Sequence, residues 1–215
     1  MRPLVILRPE PGASRSAAKA EALGLEVRLA PLFTVVQVDW AAPDPARFDA
    51  IVLTSANAIR HGGEELDKLK ALPVHAVGAA TAALARAAGF RILSVGEGGN
   101  RGMHLPKGQK LLHLAGRTHH SVEAALTIPV YEARTIDRPD GLVGLVRSVV
   151  AVHSPRAGRR LAELVGDRST IAIAAISDAA AAACGGGWER IEAAAQPDDA
   201  ALLALAARLC ESPAP

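Results

Sequence analysis

Phe48-Asp49-Ala50-Ile51-Val52-Leu53-Thr54-Ser55-Ala56-Asn57-Ala58 reads as a short buried strand that ends in two hydroxyls and runs into a helix. The chain carries the same pattern again in Ser148-Val149-Val150-Ala151-Val152-His153-Ser154-Pro155-Arg156-Ala157. Ser55 and Ser154 stand 99 positions apart, and the same shift lays Val74-His75-Ala76-Val77-Gly78 on Ile173-Ala174-Ala175-Ile176-Ser177 and Arg91-Ile92 on Arg190-Ile191. A shift of 98 lays Pro31-Leu32-Phe33 on Pro129-Val130-Tyr131, and a slightly longer one lays Leu4-Val5-Ile6-Leu7 on Leu111-Leu112-His113-Leu114. Two similar α/β units are expected, with a small-ligand cleft between them.

Strands alternating with helices predict parallel sheets, helices on both faces and right-handed crossovers. Leu4–Leu7 is a continuous apolar run, too short for a helix and suited to a strand buried on both faces. A helix is expected from Ala13 to Leu23, closed by Gly24, with a second strand from Glu26. Leu29–Val38 and Thr127–Ile136 are longer, and each precedes a proline-bearing link, Pro43-Asp44-Pro45 or Arg138-Pro139-Asp140. These two stretches, about 29–38 and 127–136, read as strands that cross between domains. One domain is then continuous over 44–127, and the other combines 1–34 with 136–215. Glu211–Pro215 reads as a frayed tail.

The 215 residues are 50% hydrophobic and 21% charged, ordinary values for a globular protein with room for two small cores. Lys and Arg number 24 against 22 Asp and Glu, without a basic run, and aromatics are 3% of the chain. Neither an electrostatic stripe nor a stacking platform for nucleic acid is present. Two cysteines, Cys184 and Cys210, form no framework or Cys-x-x-Cys pair, which suits a reducing compartment. The first strand begins near Met1, leaving no signal-peptide pattern, and no apolar run is long enough for a membrane span. The Ala-rich stretch Ile171–Cys184 comes nearest, but Ser177 and Asp178 interrupt it. A monomeric cytoplasmic protein is expected.

In open parallel sheets, ligands bind beyond the carboxyl ends of the strands, against helix N-termini. Arg8, Thr54-Ser55, Gly78, Gly96 to Gly99, Gly116-Arg117, His153-Ser154 and Ser177 fall at those ends. Ser55, Ser154 and Ser177 also stand where an N-cap belongs, and each alone reads first as a cap. Together with the glycines, the set suggests an anion site. Gly96-Glu97-Gly98-Gly99-Asn100-Arg101-Gly102 fits neither nucleotide-loop pattern and reads as a loop. There is no G-x-S-x-G elbow. His153 and Ser154 are adjacent on a strand and point apart, so they form no nucleophilic pair. His119-His120 lacks the spacing and partners of a metal site. Tyr131, the one tyrosine, lies on the second crossing strand; its phenol can donate a hydrogen bond there, or its ring can fill space as Phe33 does.

Leu4-Val5-Ile6-Leu7-Arg8-Pro9, Ala30-Pro31-Leu32, Val52-Leu53-Thr54-Ser55-Ala56-Asn57-Ala58, Val77-Gly78-Ala79-Ala80-Thr81-Ala82, Leu114-Ala115-Gly116-Arg117, Pro129-Val130-Tyr131 and His153-Ser154-Pro155 together resemble the successive signatures of the uroporphyrinogen-III synthase family. The resemblance implies two three-layer α/β domains joined by a two-stranded β-ladder, with the active site in the cleft. It implies cyclisation of hydroxymethylbilane to uroporphyrinogen III, with loss of water and inversion of the last pyrrole ring through an azafulvene and a spiro intermediate. No cofactor or metal is implied. Electron-rich pyrroles supply the reactivity, and the protein holds them in a near-attack shape. The substrate's eight carboxylates call for many donors, which strand-end hydroxyls and backbone N–H groups offer beside the guanidinium groups of Arg8, Arg117 and Arg156. By resemblance, Thr54, Ser55 and Thr81 bind carboxylates from one domain, Ser154 and Ser177 from the other, with Gly78 and Gly116 beside them, and Tyr131 assists departure of the hydroxyl.

Relatives with Gly-Pro-Thr-Thr are matched here by Ser177-Asp178-Ala179-Ala180, so the hydroxyl that would mirror Thr81 is missing. Asp178 would repel a carboxylate unless it serves as a helix N-terminal residue. Two other classes compete: a non-catalytic two-domain module closing on a small anion, and a transferase for a nucleotide-linked donor, against which the missing phosphate fingerprint counts.

Overall fold

The computed structural model describes residues 1–96, 105–123 and 125–211. The chain divides into two compact units: Met1–Thr34 with Thr135–Pro215, and Val35–Arg134.

In the first unit, strands β1 (Leu4–Ile6), β2 (Val27–Leu29), β9 (Val149–Val152), β10 (Ala172–Ala175) and β11 (Arg190–Ala193) form a parallel sheet in the order β11-β10-β9-β1-β2. Both faces of the central strands are covered, which is why they read as unbroken apolar runs. Leu4, Ile6, Val149, Ala151, Ala172 and Ala174 pack on α1 (Gly12–Ala22) and α6 (Asp199–Glu211). Their alternates Val5, Val150 and Ile173 are equally buried, and α4 (Pro155–Leu164) and α5 (Asp178–Ala183) pack on β9, β10 and β11. Gly158 lets α4 approach α5 closely: a Cβ there would stand 2.9 Å from Ala180 O and 3.0 Å from Cys184 Sγ. Gly24, at φ +80°, ends α1 in the left-handed region.

The second unit holds β4 (Ala50–Leu53), β5 (Val74–Ala76), β6 (Ile92–Val95), β7 (Leu111–Gly116) and β8 (Ala125–Thr135), in a sheet ordered β3-β8-β7-β4-β5-β6, where β3 is Phe33–Gln37. Pairings from β8 through β6 are parallel. Laid on the repeat, β8-β7-β4-β5-β6 matches β2-β1-β9-β10-β11 position for position, so the sequence shifts correspond to equal places in the two sheets.

One face of this sheet packs Ile51, Leu53, Leu112 and Leu114 against Ala58 of α2 (Asn57–His61), Leu66 and Leu69 of a 3-10 turn, and Ala82 and Ala85 of α3 (Ala79–Ala87). On the opposite face, Ala50, Val52 and Leu111 meet Leu105, Val122 and Ala125. Among the described residues, the β6–β7 and β7–β8 connections contain no helix, so the expected helical layer is seen on only one face of this unit.

The first long strand also differs from expectation. Leu29–Val38 is broken into β2 and β3 around Pro31, where Ala30 N and Leu32 N donate to Ile6 O and Leu7 O. Proline has no N–H to continue a ladder, and the chain turns there. The second forms as one strand, β8. Hydrogen bonds from Val38 N to Val130 O (3.2 Å) and from Ile136 N to Leu32 O (2.9 Å) extend the β3–β8 pairing at its two ends. The loop beyond Gly96 and the tail beyond Glu211 lie outside the described residues.

Candidate functional site

Each sheet has one place where the strand order reverses, and the crevice at the carboxyl ends of the strands there is where open α/β sheets bind ligands. In the first unit this place lies between β1 and β9, which end at Arg8 and His153; in the second it lies between β4 and β7, which end at Thr54 and Gly116.

At the first switch point the side chains are charged and bound to one another. Asp199 Oδ1, at the start of α6, accepts from Ser16 Oγ at 2.6 Å and Arg8 Nη1 at 3.2 Å, and lies 3.3 Å from His153 Nε2. Its Oδ2 accepts from Lys19 Nζ at 2.9 Å. Burial alone would raise the Asp199 pKa, but hydrogen bonds from Ser16 and Lys19, the Lys19 charge and His153 outweigh it and hold the carboxyl at about 2. Burial, then the Arg8 charge, lowers His153 to about 4, so its ring is neutral at pH 7. Within this cluster two cations, Arg8 and Lys19, share the one carboxylate of Asp199. Ser154 and Ser177 cap α4 and α5, accepting from Ala157 N at 3.2 Å and Ala180 N at 3.3 Å. A capping hydroxyl uses a lone pair and keeps its proton available to donate. Asp178 is the first residue of α5, where a negative charge suits the helix dipole.

At the second switch point the side chains hydrogen-bonded around Thr54 are uncharged. Thr54 Oγ1 lies 2.9 Å from His113 Nε2, and His113 Nδ1 lies 3.2 Å from Thr127 Oγ1. His113 is 0% exposed, and burial, followed by the charge of His119, lowers its pKa to about 4. Ser55 Oγ accepts from Asn57 N at 3.2 Å and fixes the turn into α2. Gly78 is the extended residue before α3, where a Cβ would meet, among the described residues, only Gly96 O at 3.9 Å, and Thr81 lies buried in the first turn of that helix. Thr54 also lines a cavity of about 460 Å³ with Leu105, Lys107, Gln109, His120 and Ser121.

Tyr131 and Gly116 belong together. Gly116 and Tyr131 are register partners, and a Cβ on Gly116 would stand 2.7 Å from Tyr131 Cε2 and 2.9 Å from Cζ. The glycine therefore seats the phenol ring against the β7 backbone. His61 lies beside that ring, with centroids 6.3 Å apart. Arg117 N donates to Tyr131 O at 2.8 Å, while its side chain bonds Glu132 Oε2 at 2.8 Å. Arg156 stacks over Phe33, the repeat partner of Tyr131, at 4.3 Å.

The predicted residues thus gather as Arg8, Ser154 and Ser177 in one unit and Thr54, Ser55, Gly78, Thr81, Gly116, Arg117 and Tyr131 in the other. Sequence reasoning missed Asp199 and His113. A histidine inside the buried run Leu111–Leu114 was the one available signal; Asp199 looks like any first-turn acid. Among the described residues, no three His, Cys, Asp or Glu side chains are grouped to hold a metal ion.

Two units of mainly parallel sheet and helix, with hydrogen-bonding side chains at the carboxyl ends of their central strands, define an α/β protein. The family model for uroporphyrinogen-III synthase HemD matches residues 14–204, and the chain belongs to that family. It therefore acts in tetrapyrrole biosynthesis as a cyclising lyase, with hydroxymethylbilane as the family's substrate. Among solved structures, uroporphyrinogen-III synthetase from Helicobacter pylori 26695 is 17% identical with a TM-score of 0.65, covering 97% of this chain and 100% of its own. That similarity shows the fold. Uroporphyrinogen III synthase of Thermus thermophilus is 17% identical with a TM-score of 0.44, covering 98% and 100%. No curated protein matches by sequence. No helix among the described residues is long and apolar enough to cross a membrane.

Proposed function

We propose that the two units are the two domains of the enzyme, that hydroxymethylbilane binds in a cleft served by the strand ends of both, and that Tyr131 assists loss of its hydroxyl group. The observation that carries this reading is the seat of Tyr131 on Gly116, beside the second switch point. Ring packing accounts for a seat but not for a phenol, since Phe33 fills the repeat position without a hydroxyl.

In this mechanism Tyr131 Oη donates to the departing hydroxyl oxygen. The C–O bond breaks, its electron pair leaves with the oxygen as water, and the pyrrole nitrogen's electrons form the azafulvene. The substituted α-carbon of the last ring attacks to give the spiro centre. The bond from the spiro carbon to the bridge methylene of the third ring then breaks, that methylene bonds the free α-carbon to close the inverted ring, and the proton released there restores the Tyr131 phenol. The hydrogen lost from that carbon balances the hydroxyl, so the sum is loss of one water.

Thr54, Ser55, Thr81, Ser154 and Ser177 donate hydrogen bonds to the carboxylate arms, with backbone N–H groups near Gly78, while Gly116 serves by seating Tyr131. Arg8 contributes from its cluster with Asp199, and Arg117 from beside Glu132. Such fixed donors hold the bilane in a reactive shape without moving during the reaction. We place the enzyme in the cytoplasm as a monomer.

The test is direct. Purified protein is given freshly generated hydroxymethylbilane, and the porphyrin isomers are resolved after oxidation. The type III isomer is expected; type I alone, the product of spontaneous closure, overturns the reading and favours a non-catalytic anion-binding module.

A further inference from the structure

A row of register partners crosses the second sheet on one face: Thr127 on β8, His113 on β7, Val52 on β4, His75 on β5 and Ser94 on β6. The equivalent row of the first sheet reads Leu29, Ile6, Ala151, Ala174 and Glu192. Its three central members are apolar and lie in the core under α1 and α6. The strand order therefore does not require histidines here. Burying an imidazole is unfavourable unless its nitrogens find partners.

His113 has partners on both nitrogens, Thr54 and Thr127, whereas His75 bonds Ser94 Oγ through Nδ1 (2.7 Å) and leaves Nε2 buried without a partner among the described residues. The two histidines share a row and differ in that only His113 reaches a strand-end hydroxyl.

A neutral imidazole has one donor and one acceptor nitrogen. If Nδ1 carries the proton, Nε2 must take the Thr54 proton, and Thr54 turns lone pairs toward any incoming carboxylate. If Nε2 carries it, the ring donates to Thr54 Oγ1, Thr127 donates to Nδ1, and the Thr54 proton is left for the ligand. We infer that His113 is a positioning residue, which as the Nε2–H tautomer donates to Thr54 Oγ1 and so makes Thr54 a donor to a substrate carboxylate. This rests on the proposed binding role of Thr54. The low pKa of His113 agrees with a ring that stays neutral throughout the working pH range.

Two readouts test it separately from the overall function. Nitrogen-15 NMR of histidine-labelled protein should place the His113 proton on Nε2; a proton on Nδ1 overturns the inference whether or not the protein is a synthase. In the isomer assay, Thr54→Val and His113→Leu should each raise KM for hydroxymethylbilane about tenfold, the scale of one hydrogen bond to a charged group, with kcat nearly unchanged. His113→Gln, whose amide nitrogen can stand near the Nε2 position, should restore most of the affinity, and the double variant should be no worse than either single one. His75→Leu should leave KM unaltered and serves as the control for repacking this face. A folded His113→Leu protein with wild-type KM, or additive effects in the double variant, overturns the inference. Absence of type III product from the wild type sinks the synthase reading alone, because the NMR result stands independently.

Discussion

The two sheets have the same strand order and opposite chemistry at equivalent places. In the first unit the middle of the sheet is apolar beneath α1 and α6, and charge is confined to the strand ends, where Asp199 gathers Arg8, Ser16, Lys19 and His153. In the second, imidazoles sit within the sheet itself, and the strand end offers Thr54, Ser55 and the Tyr131 phenol. A duplicated scaffold can thus place an ion-paired cluster at one set of strand ends and uncharged, hydrogen-bonded hydroxyls at the other.

The largest effect should come from making the second half resemble the first. Tyr131→Phe copies Phe33 into the ring's seat and removes only the hydroxyl. Turnover should fall about 100-fold, the lower range for loss of an acid catalyst, with the melting temperature nearly unchanged. A folded variant with wild-type turnover would end the catalytic role of the phenol. Gly116→Ala attacks the same point from beneath, because its Cβ cannot occupy a place 2.7 Å from Cε2 unless the ring moves. Turnover about tenfold lower and stability reduced by about 1–2 kcal/mol are expected, the usual scale for overpacking. Steady-state kinetics beside urea denaturation separates the two losses.

Gly158→Ala is the counterpart in the first unit, where the glycine separates helices rather than seating a ring. Its Cβ would meet Ala180 O and Cys184 Sγ, so α4 must shift from α5. The expected cost is again about 1–2 kcal/mol in urea denaturation, but with kcat and KM within about twofold of wild type at temperatures well below unfolding. A large kinetic defect here would show that the first unit's helix packing matters to catalysis more than its strand ends do.

The repeat was legible because strands buried on both faces leave apolar runs, and because hydroxyls and glycines mark where those runs end. Ser154, Ser177 and the turn at Gly24 could be placed from local pattern alone, since caps and left-handed turns are decided within a few residues. The pairing of Arg8 with Asp199 spans 191 positions and that of Thr54 with His113 spans 59. Contacts at such separations depend on strand order, which no local pattern encodes. Gly116 looked like a place for a ligand to approach the backbone, yet the space above it is filled by Tyr131, a fact that needs the β7–β8 register. The break at Pro31 is masked in the sequence because the apolar run continues on both sides of the proline.

A further contrast should appear in acid, where each unit holds a histidine whose pKa burial lowers to about 4. The ordinary histidine pKa of 6.5 applies to the unfolded chain, while His113 and His153 are both lowered to about 4 in the folded protein. Between these values the unfolded chain binds more protons than the folded one, so stability must decrease as the pH drops from about 6.5 to about 4. Asp199 acts in a lower window: its carboxyl is held at about 2 against an ordinary 3.8, so its contribution is complete above pH 3.8 and is lost as the pH falls through 2. The melting temperature measured against pH should therefore fall in two stages. His153→Gln and His113→Gln should each flatten the upper stage, and Asp199→Asn should remove much of the lower one while leaving the His113 part of the upper stage intact. The units should separate further with added salt. His153 faces the charges of Arg8 and Asp199, whereas His113 faces two threonine hydroxyls and His119, so only the His153 part of the upper stage should respond strongly to ionic strength. Equal salt responses from the two Gln variants would mean that the electrostatic contrast between the strand ends is absent in solution.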